Sequence, residues 1–368
     1  MYYREAGRLV KSFADDRRML PLKEDRILTT LFVVGVMYIL VTWLASDYYL
    51  SAIFIPMMVL GVATLGLNIA TGYTGQLSLG TAGFMSFGAF AAFNLILRID
   101  WMYIPLAFFL AGIIAGLVGI VFGLPALRIK GFYLIVSTLA AQFFSEWVFN
   151  AYPWFLNYTT SGVVNLPPFH YKVFPFQELT PLNDAFWHSS KGRYLITLTV
   201  TIALILACKN MVRSSTGRNW MAVRDMDIAA NVIGISVAKT KLMAFFVSTF
   251  YCGVAGAMYS YCYIGNLDFM IFNLRRSFLV MFMVIVGGLG SILGSFLGAI
   301  FVYGWPILVT RLGDAIFGGG TLDTAFVENN SKIVVGTIII VLLIKEPGGF
   351  AALWNTSKQK LRAWPFSK

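Results

Sequence analysis

Few residues in this chain can do chemistry, and they interrupt long apolar runs. The richest segment reads Ser214-Ser-Thr-Gly-Arg-Asn-Trp-Met-Ala-Val-Arg224-Asp225-Met-Asp227-Ile-Ala229-Ala230-Asn-Val-Ile-Gly234-Ile-Ser236. Asp225 and Asp227 precede a short apolar stretch, where negative charge suits the positive end of a helix. Gly234 is positioned to end that helix. Ala229 and Ala230 let a second surface approach closely. This pattern suits docking rather than bond breaking. An ordinary solvated loop is the bland alternative, but it needs no such ordered alternation.

The second segment is Gly72-Tyr-Thr-Gly75-Gln76-Leu-Ser78-Leu-Gly80, followed by Gly83 and Gly88. Glycines and short polar residues at membrane depth break a helix, and the freed backbone groups must face protein or an aqueous cavity. Transporters put substrate contacts at such breaks. Two readings stand together here. Either the segment lines a translocation path with Gln76 and Ser78 as polar contacts, or its small residues serve close helix packing. A similar texture recurs at Gly287-Gly-Leu-Gly290-Ser-Ile-Leu-Gly294, continuing through Gly298 and Gly304. Helix packing is the favoured role there, and the recurrence suggests a duplicated architecture.

Third, Gln142, Ser145 and Glu146 fall inside an apolar run. A carboxylate at membrane depth is costly and needs a partner or a cavity. Glu146 faces the path on one reading and lies at the outer interface beside Trp147 on the other. Nothing in the sequence assembles a catalytic or metal centre. The two histidines, His170 and His188, share one polar stretch, and Cys208, Cys252 and Cys262 have no ligand spacing. GxxxxGK[ST] is absent, so nucleotide chemistry is not expected of this chain.

The elements that must position these residues are membrane helices. Of 368 residues, 58% are hydrophobic and 12% charged, against about 25% charged in soluble domains. The apolar blocks match the roughly 20 residues that cross a ~30 Å hydrocarbon core. Strand-type alternation is missing, which argues against an outer-membrane barrel. The fold class is therefore all-α and polytopic. About ten spans are expected, near 27–46, 50–70, 82–97, 103–125, 132–149, 193–210, 241–263, 274–290, 294–311 and 332–346. Eight spans plus re-entrant glycine-rich segments is the alternative.

Charge orients the bundle. The net charge of +11 sits in loops and tails, a distribution that follows the positive-inside rule and does not suggest nucleic-acid binding. Residues 1–26 form a cationic segment with no apolar core, expected to stay in the cytoplasm. The 211–240 loop and the 347–368 tail are cationic too. Placing all three in the cytoplasm demands an even number of spans, six of them before 211–240. The permease domain is then 27–346, with the Pro- and aromatic-rich 150–192 stretch outside. Arg275 and Arg276 are discordant, falling near the outer face. They pair with Asp268 or turn into the protein.

Five ordered motifs now carry a resemblance: GYTGQLSLGTAGFMSFGAF, GLPALRIKGFYLIVSTLA, GRNWMAVRDMDIAANVIGISVAKTKLMAF, GGLGSILGSFLGA and EPGGF. Over roughly 30–350 the chain resembles the LivM-type permeases of branched-chain amino acid ABC importers. Ile-Ala-Ala-x-x-x-Gly at 228–234 is similar to the coupling motif EAA-x-x-x-G of importer permeases. Ile228 stands where that motif has Glu, and Asp227 lies one place earlier. The resemblance implies a bacterial inner-membrane subunit that is not itself an enzyme. It implies pairing with a LivH-type permease, two cytoplasmic ATPases that bind ATP and Mg, and a periplasmic binding protein. ATPase coupling then falls on Arg224, Asp225, Asp227, Ala229, Ala230 and Gly234. The path falls on Gly72, Gly75, Gln76, Ser78, Gly80, Gln142 and Glu146. The same permease class resembles importers of urea, short-chain amides and aromatic carboxylates, and branched-chain amino acids are the family default. A membrane-embedded enzyme lacks its acid–base or metal centre here. An ion-coupled secondary transporter would want more ionisable residues within spans than Glu146.

Overall fold

The computed structural model describes residues 31–99, 101–127, 133–159, 162–166, 189–317 and 348–363, with scattered residues between 333 and 344. The cationic segment 1–26, most of the expected span at 332–346, and His170 and His188 lie outside the described residues.

The described chain is predominantly helical. In order, the helices are α1 (Val34–Leu44), α2 (Asp47–Tyr73), α3 (Thr81–Arg98), α4 (Ile104–Leu127), α5 (Tyr133–Ala151), α6 (Ser190–Arg213), α7 (Ser215–Asp225), α8 (Asp227–Val232), α9 (Val237–Ile264), α10 (Leu274–Gly287), α11 (Ile292–Phe317) and α12 (Gly349–Ala363). Among the described residues six are long and apolar enough to cross a membrane: α2, α3, α4, α6, α9 and α11. α1 is apolar but shorter, and α10 has 14 residues.

α9 is the central helix, and glycines let its neighbours approach it. A methyl group on Gly88 of α3 would overlap the Gly253 carbonyl, and one on Gly256 would overlap Met85. Small residues in this way bring backbones into contact where lipid supplies no hydrophobic drive between helices. α4 runs antiparallel to α9, with Gly112 facing Val254 and Gly123 facing Leu242. Gly66 of α2 lies against Ser248 and Tyr251.

The bundle has two distinguishable ends. At one, α7 and α8 link α6 to α9. At the other, β1 (Val163–Asn165) and β2 (Asn266–Asp268) pair antiparallel in the register Val163↔Asp268. Arg98, at the end of α3, donates to the Trp154 carbonyl at 2.9 Å and covers its ring at 3.6 Å.

Candidate functional site

The short helix expected before Gly234 exists. α8 has Asp227 in its first turn, whose carboxylate pairs with Lys241 Nζ at 3.1 Å. Gly234 has φ +88, the left-handed region that glycine enters without a Cβ penalty. Its N–H donates to the Asn231 carbonyl at 3.1 Å, and the Ile235 N–H donates to Ala230 at 3.0 Å. Together these close the helix. The two neighbouring alanines divide their roles: Ala230 is buried, whereas Ala229 is open. Around Ala229 the face is apolar, with Met226, Ile228, Val232 and Ile233 all exposed, Val232 by 82%. A groove of about 440 Å³ runs beside it, lined by Asp227, Ile228, Asn231, Ser236, Val237 and Ala238.

Asp225 belongs instead to the last turn of α7. That helix is anchored by Trp220, fully buried, and Val223. Asp225 accepts from Arg224 Nε at 2.9 Å and forms an ion pair with its Nη2 at 2.9 Å. Arg224 also reaches across the fold. Its Nη1 donates to the Gly72 carbonyl at 3.0 Å, and its side chain lies against Gly75 and Gly290. The 214–236 segment and both glycine-rich segments therefore meet at one arginine.

The two glycine segments also touch each other. A methyl group on Gly72 would overlap the backbone of Gly290. Asn68, fully buried, ties them together. Its Oδ1 accepts from the Gly290 N–H at 2.9 Å, and its Nδ2 donates to the Ser291 carbonyl at 2.9 Å and to Ser295 Oγ at 2.8 Å. Sequence reasoning passed over Asn68. The available signal was an amide inside an apolar run.

The helix break falls at residues 74–80, between α2 and α3. Its backbone is held locally: the Gln76 N–H donates to Ala70 at 2.9 Å, and Thr74 Oγ1 donates to the same carbonyl at 2.6 Å. Gln76 and Ser78 are buried, whereas Gly75 and Leu77 are open. Gly80 packs on the Thr138 carbonyl so closely that a Cβ would collide with it.

Gln142 is fully buried and satisfied on both sides of its amide. Oε1 accepts from the Gly83 N–H at 2.6 Å and from Ser277 Oγ at 2.9 Å. Nε2 donates to the Phe272 carbonyl at 2.6 Å and to Glu146 Oε1 at 2.9 Å. Glu146 thus has a protein partner and is half-buried, while Trp147 beside it is exposed. Of the two discordant arginines, Arg276 turns inward. It lies 4.6 Å over the Tyr259 ring, and Asp268 instead accepts from the Met270 N–H.

A polytopic helical bundle with a small apolar helix displayed at one end is the build of a membrane transport subunit. The chain belongs to the family described as the permease component of branched-chain amino acid transport systems, whose model matches residues 49–343. It is similar to the high-affinity branched-chain amino acid transport system permease protein LivM of Escherichia coli (strain K12). The two are 26% identical over 365 residues, covering 92% of this chain and 79% of the relative. The LivM protein of Salmonella typhimurium (strain LT2) is equally similar, with the same identity and coverage. No solved structure matches the chain. The protein is accordingly an ABC transporter permease with several membrane-crossing helices.

Proposed function

We propose that this chain imports branched-chain amino acids across a bacterial inner membrane, paired with a LivH-type permease. Two cytoplasmic ATPases dock on α8, and a periplasmic binding protein delivers cargo at the β1–β2 end. The observation that carries this reading is Arg224. It belongs to the segment expected to meet the ATPases, yet it grips a carbonyl in the last turn of α2. Displacing α7 and α8 as the ATPases close, with ATP and Mg held by them, would drag on Gly72 and Gly290 together. The ligand-bound and free motor states then differ in their contacts with this subunit, as any driven conformational change requires.

The apolar face of α8 and the groove beside it support the docking role, since exposed apolar patches mark interaction sites. The path assignment rests on the 74–80 break. Gly72, Gly75, Gln76, Ser78 and Gly80 form the segment that Arg224 would move. Gln142 and Glu146 brace its far side through Gly83.

Ten spans with both termini in the cytoplasm fit these contacts. Arg224 and Gly72 sit together with α3, α4, α5 and α6 between them in sequence. β1 and β2 pair with α6 and α9 between them. Each interval is even when α5, which is not among the six helices long and apolar enough to cross, is counted as a crossing.

The test is reconstitution of the whole complex in proteoliposomes with its binding protein. ATP-dependent leucine uptake is expected. Tight binding of benzoate or urea by the binding protein, with none of leucine, would overturn the cargo assignment.

A further inference from the structure

We infer that Arg276 and Tyr259 form a station for the cargo carboxylate within the permease. The inference deepens the amino-acid importer reading and rests on it.

Arg276 opens α10. That helix has 14 residues and rises about 21 Å at ~1.5 Å per residue, short of a ~30 Å hydrocarbon core. Phe272, just before it, gives its carbonyl to the buried amide of Gln142. The start of α10 is thus tied to α5 through a buried hydrogen bond. Arg276 itself is half-buried there, against the ring of the buried Tyr259.

Among the described residues its partners are all neutral. Nε donates to the Ile271 carbonyl at 3.2 Å, and Nη1 donates to the Tyr259 hydroxyl at 2.6 Å. No carboxylate lies within ion-pair distance of Arg276 among the described residues. A guanidinium carries five donors in a planar fork that matches a carboxylate bidentately. Nη2 makes no hydrogen bond among the described residues.

The tyrosines supply a second donor. Tyr303 lies within hydrogen-bond reach of the Ala52 carbonyl, to which its hydroxyl donates at 3.2 Å. The contact between Tyr263 and Tyr303 at 3.1 Å then runs with Tyr263 as donor. Tyr259, whose ring is tilted against that of Tyr263 at 5.2 Å, accepts from Arg276 and spends its own proton on no described acceptor. A guanidinium nitrogen and a hydroxyl proton, neither engaged among the described residues, form a donor pair for a single carboxylate. The α10 N-terminus adds favourable partial charge.

The experiment uses the complete importer with its binding protein in proteoliposomes, reading leucine uptake and ATPase activity with and without binding protein. R276Q is expected to lower uptake at least tenfold, with R276K retaining an intermediate rate. Y259F keeps the ring under the guanidinium and removes only the hydroxyl, and it is expected to lower uptake several-fold. Wild-type uptake by Y259F and R276K together overturns the station, and this pair decides the matter if R276Q fails to assemble. Vesicles with and without phosphatidylglycerol separate the two sources of an anion. Equal loss in both supports the cargo carboxylate, and loss only with anionic lipid points to a headgroup and overturns the proposal. A wild-type complex inert toward all branched-chain amino acids overturns the importer reading, and the station with it.

Discussion

Arg224 Nη1 lies 3.0 Å from the carbonyl oxygen of Gly72, 152 positions earlier in the chain. The same guanidinium is steadied by Asp225. Through this contact the segment that displays α8 holds the last turn of α2.

If the contact transmits force, Arg224→Gln should separate ATP use from uptake. A hydrogen bond from a charged donor is worth roughly 1.5–3 kcal/mol, which corresponds to a ten- to hundredfold change in the balance between two states. Stimulation of ATPase activity by the loaded binding protein should fall by about that range, while basal hydrolysis persists. Wild-type stimulation in Arg224→Gln would leave the link without a coupling role.

α8 offers a second handle. Gly234 at φ +88 has open space around it, so Gly234→Ala meets no neighbour and suffers only backbone strain. That strain costs about 1–2 kcal/mol. Partial loss of stimulated ATPase is expected, rescued in part by Gly234→Asn, which tolerates the left-handed region better. Ala230→Arg forces a charge into a buried position and should abolish stimulation with the permease still inserted. Co-purification of the ATPases with each variant provides the check.

The ends of α8 were legible in the sequence because local residues set them. Asp227 opens the helix and Gly234 closes it, so the reading needed no knowledge of the rest of the fold. The break at 74–80 was legible for the same reason. What joins the two was not. Arg224 and Gly72 meet only after four intervening helices have packed, and no periodicity encodes such a contact. Arg276 was visible as a discord in the charge distribution. Its inward turn depends on Tyr259, which a linear reading places merely in an apolar run. α7 falls within the 211–240 loop, read as charged and helix-forming, but the buried Trp220 that anchors it carries no signal of its own in the sequence.

Gln142 and Gln76 should respond differently to the same substitution. Gln142→Leu strands the Gly83 N–H, the Phe272 carbonyl and the Ser277 hydroxyl in a buried site. Each stranded group costs about 1–3 kcal/mol, so a loss on the order of 3 kcal/mol or more is expected, read as a lower unfolding temperature in detergent. Gln76→Leu leaves intact the backbone bonds made by residue 76, whose N–H and carbonyl hold Ala70 and Thr71. Uptake should fall with assembly and melting little changed. Normal uptake in Gln76→Leu would return the 74–80 segment to a packing role.

Membrane orientation supplies the last prediction. Arg224 meets Gly72, and Val163 pairs with Asp268, so residues 72 and 224 share one face while 163 and 268 share another. α9 begins beside α8 and ends at Gly265, beside β2, which separates the two faces by one crossing. By the positive-inside rule the cationic 211–240 loop is expected to hold the first face in the cytoplasm. A phosphatase reporter, active only outside the cytoplasm, should therefore be active when fused within 160–185 and silent when fused after residue 235. A cytoplasmic reporter should give the reverse. Matching signals at both positions would break the even spacing of crossings that these contacts require, and with it the placement of α8 on the ATPase side.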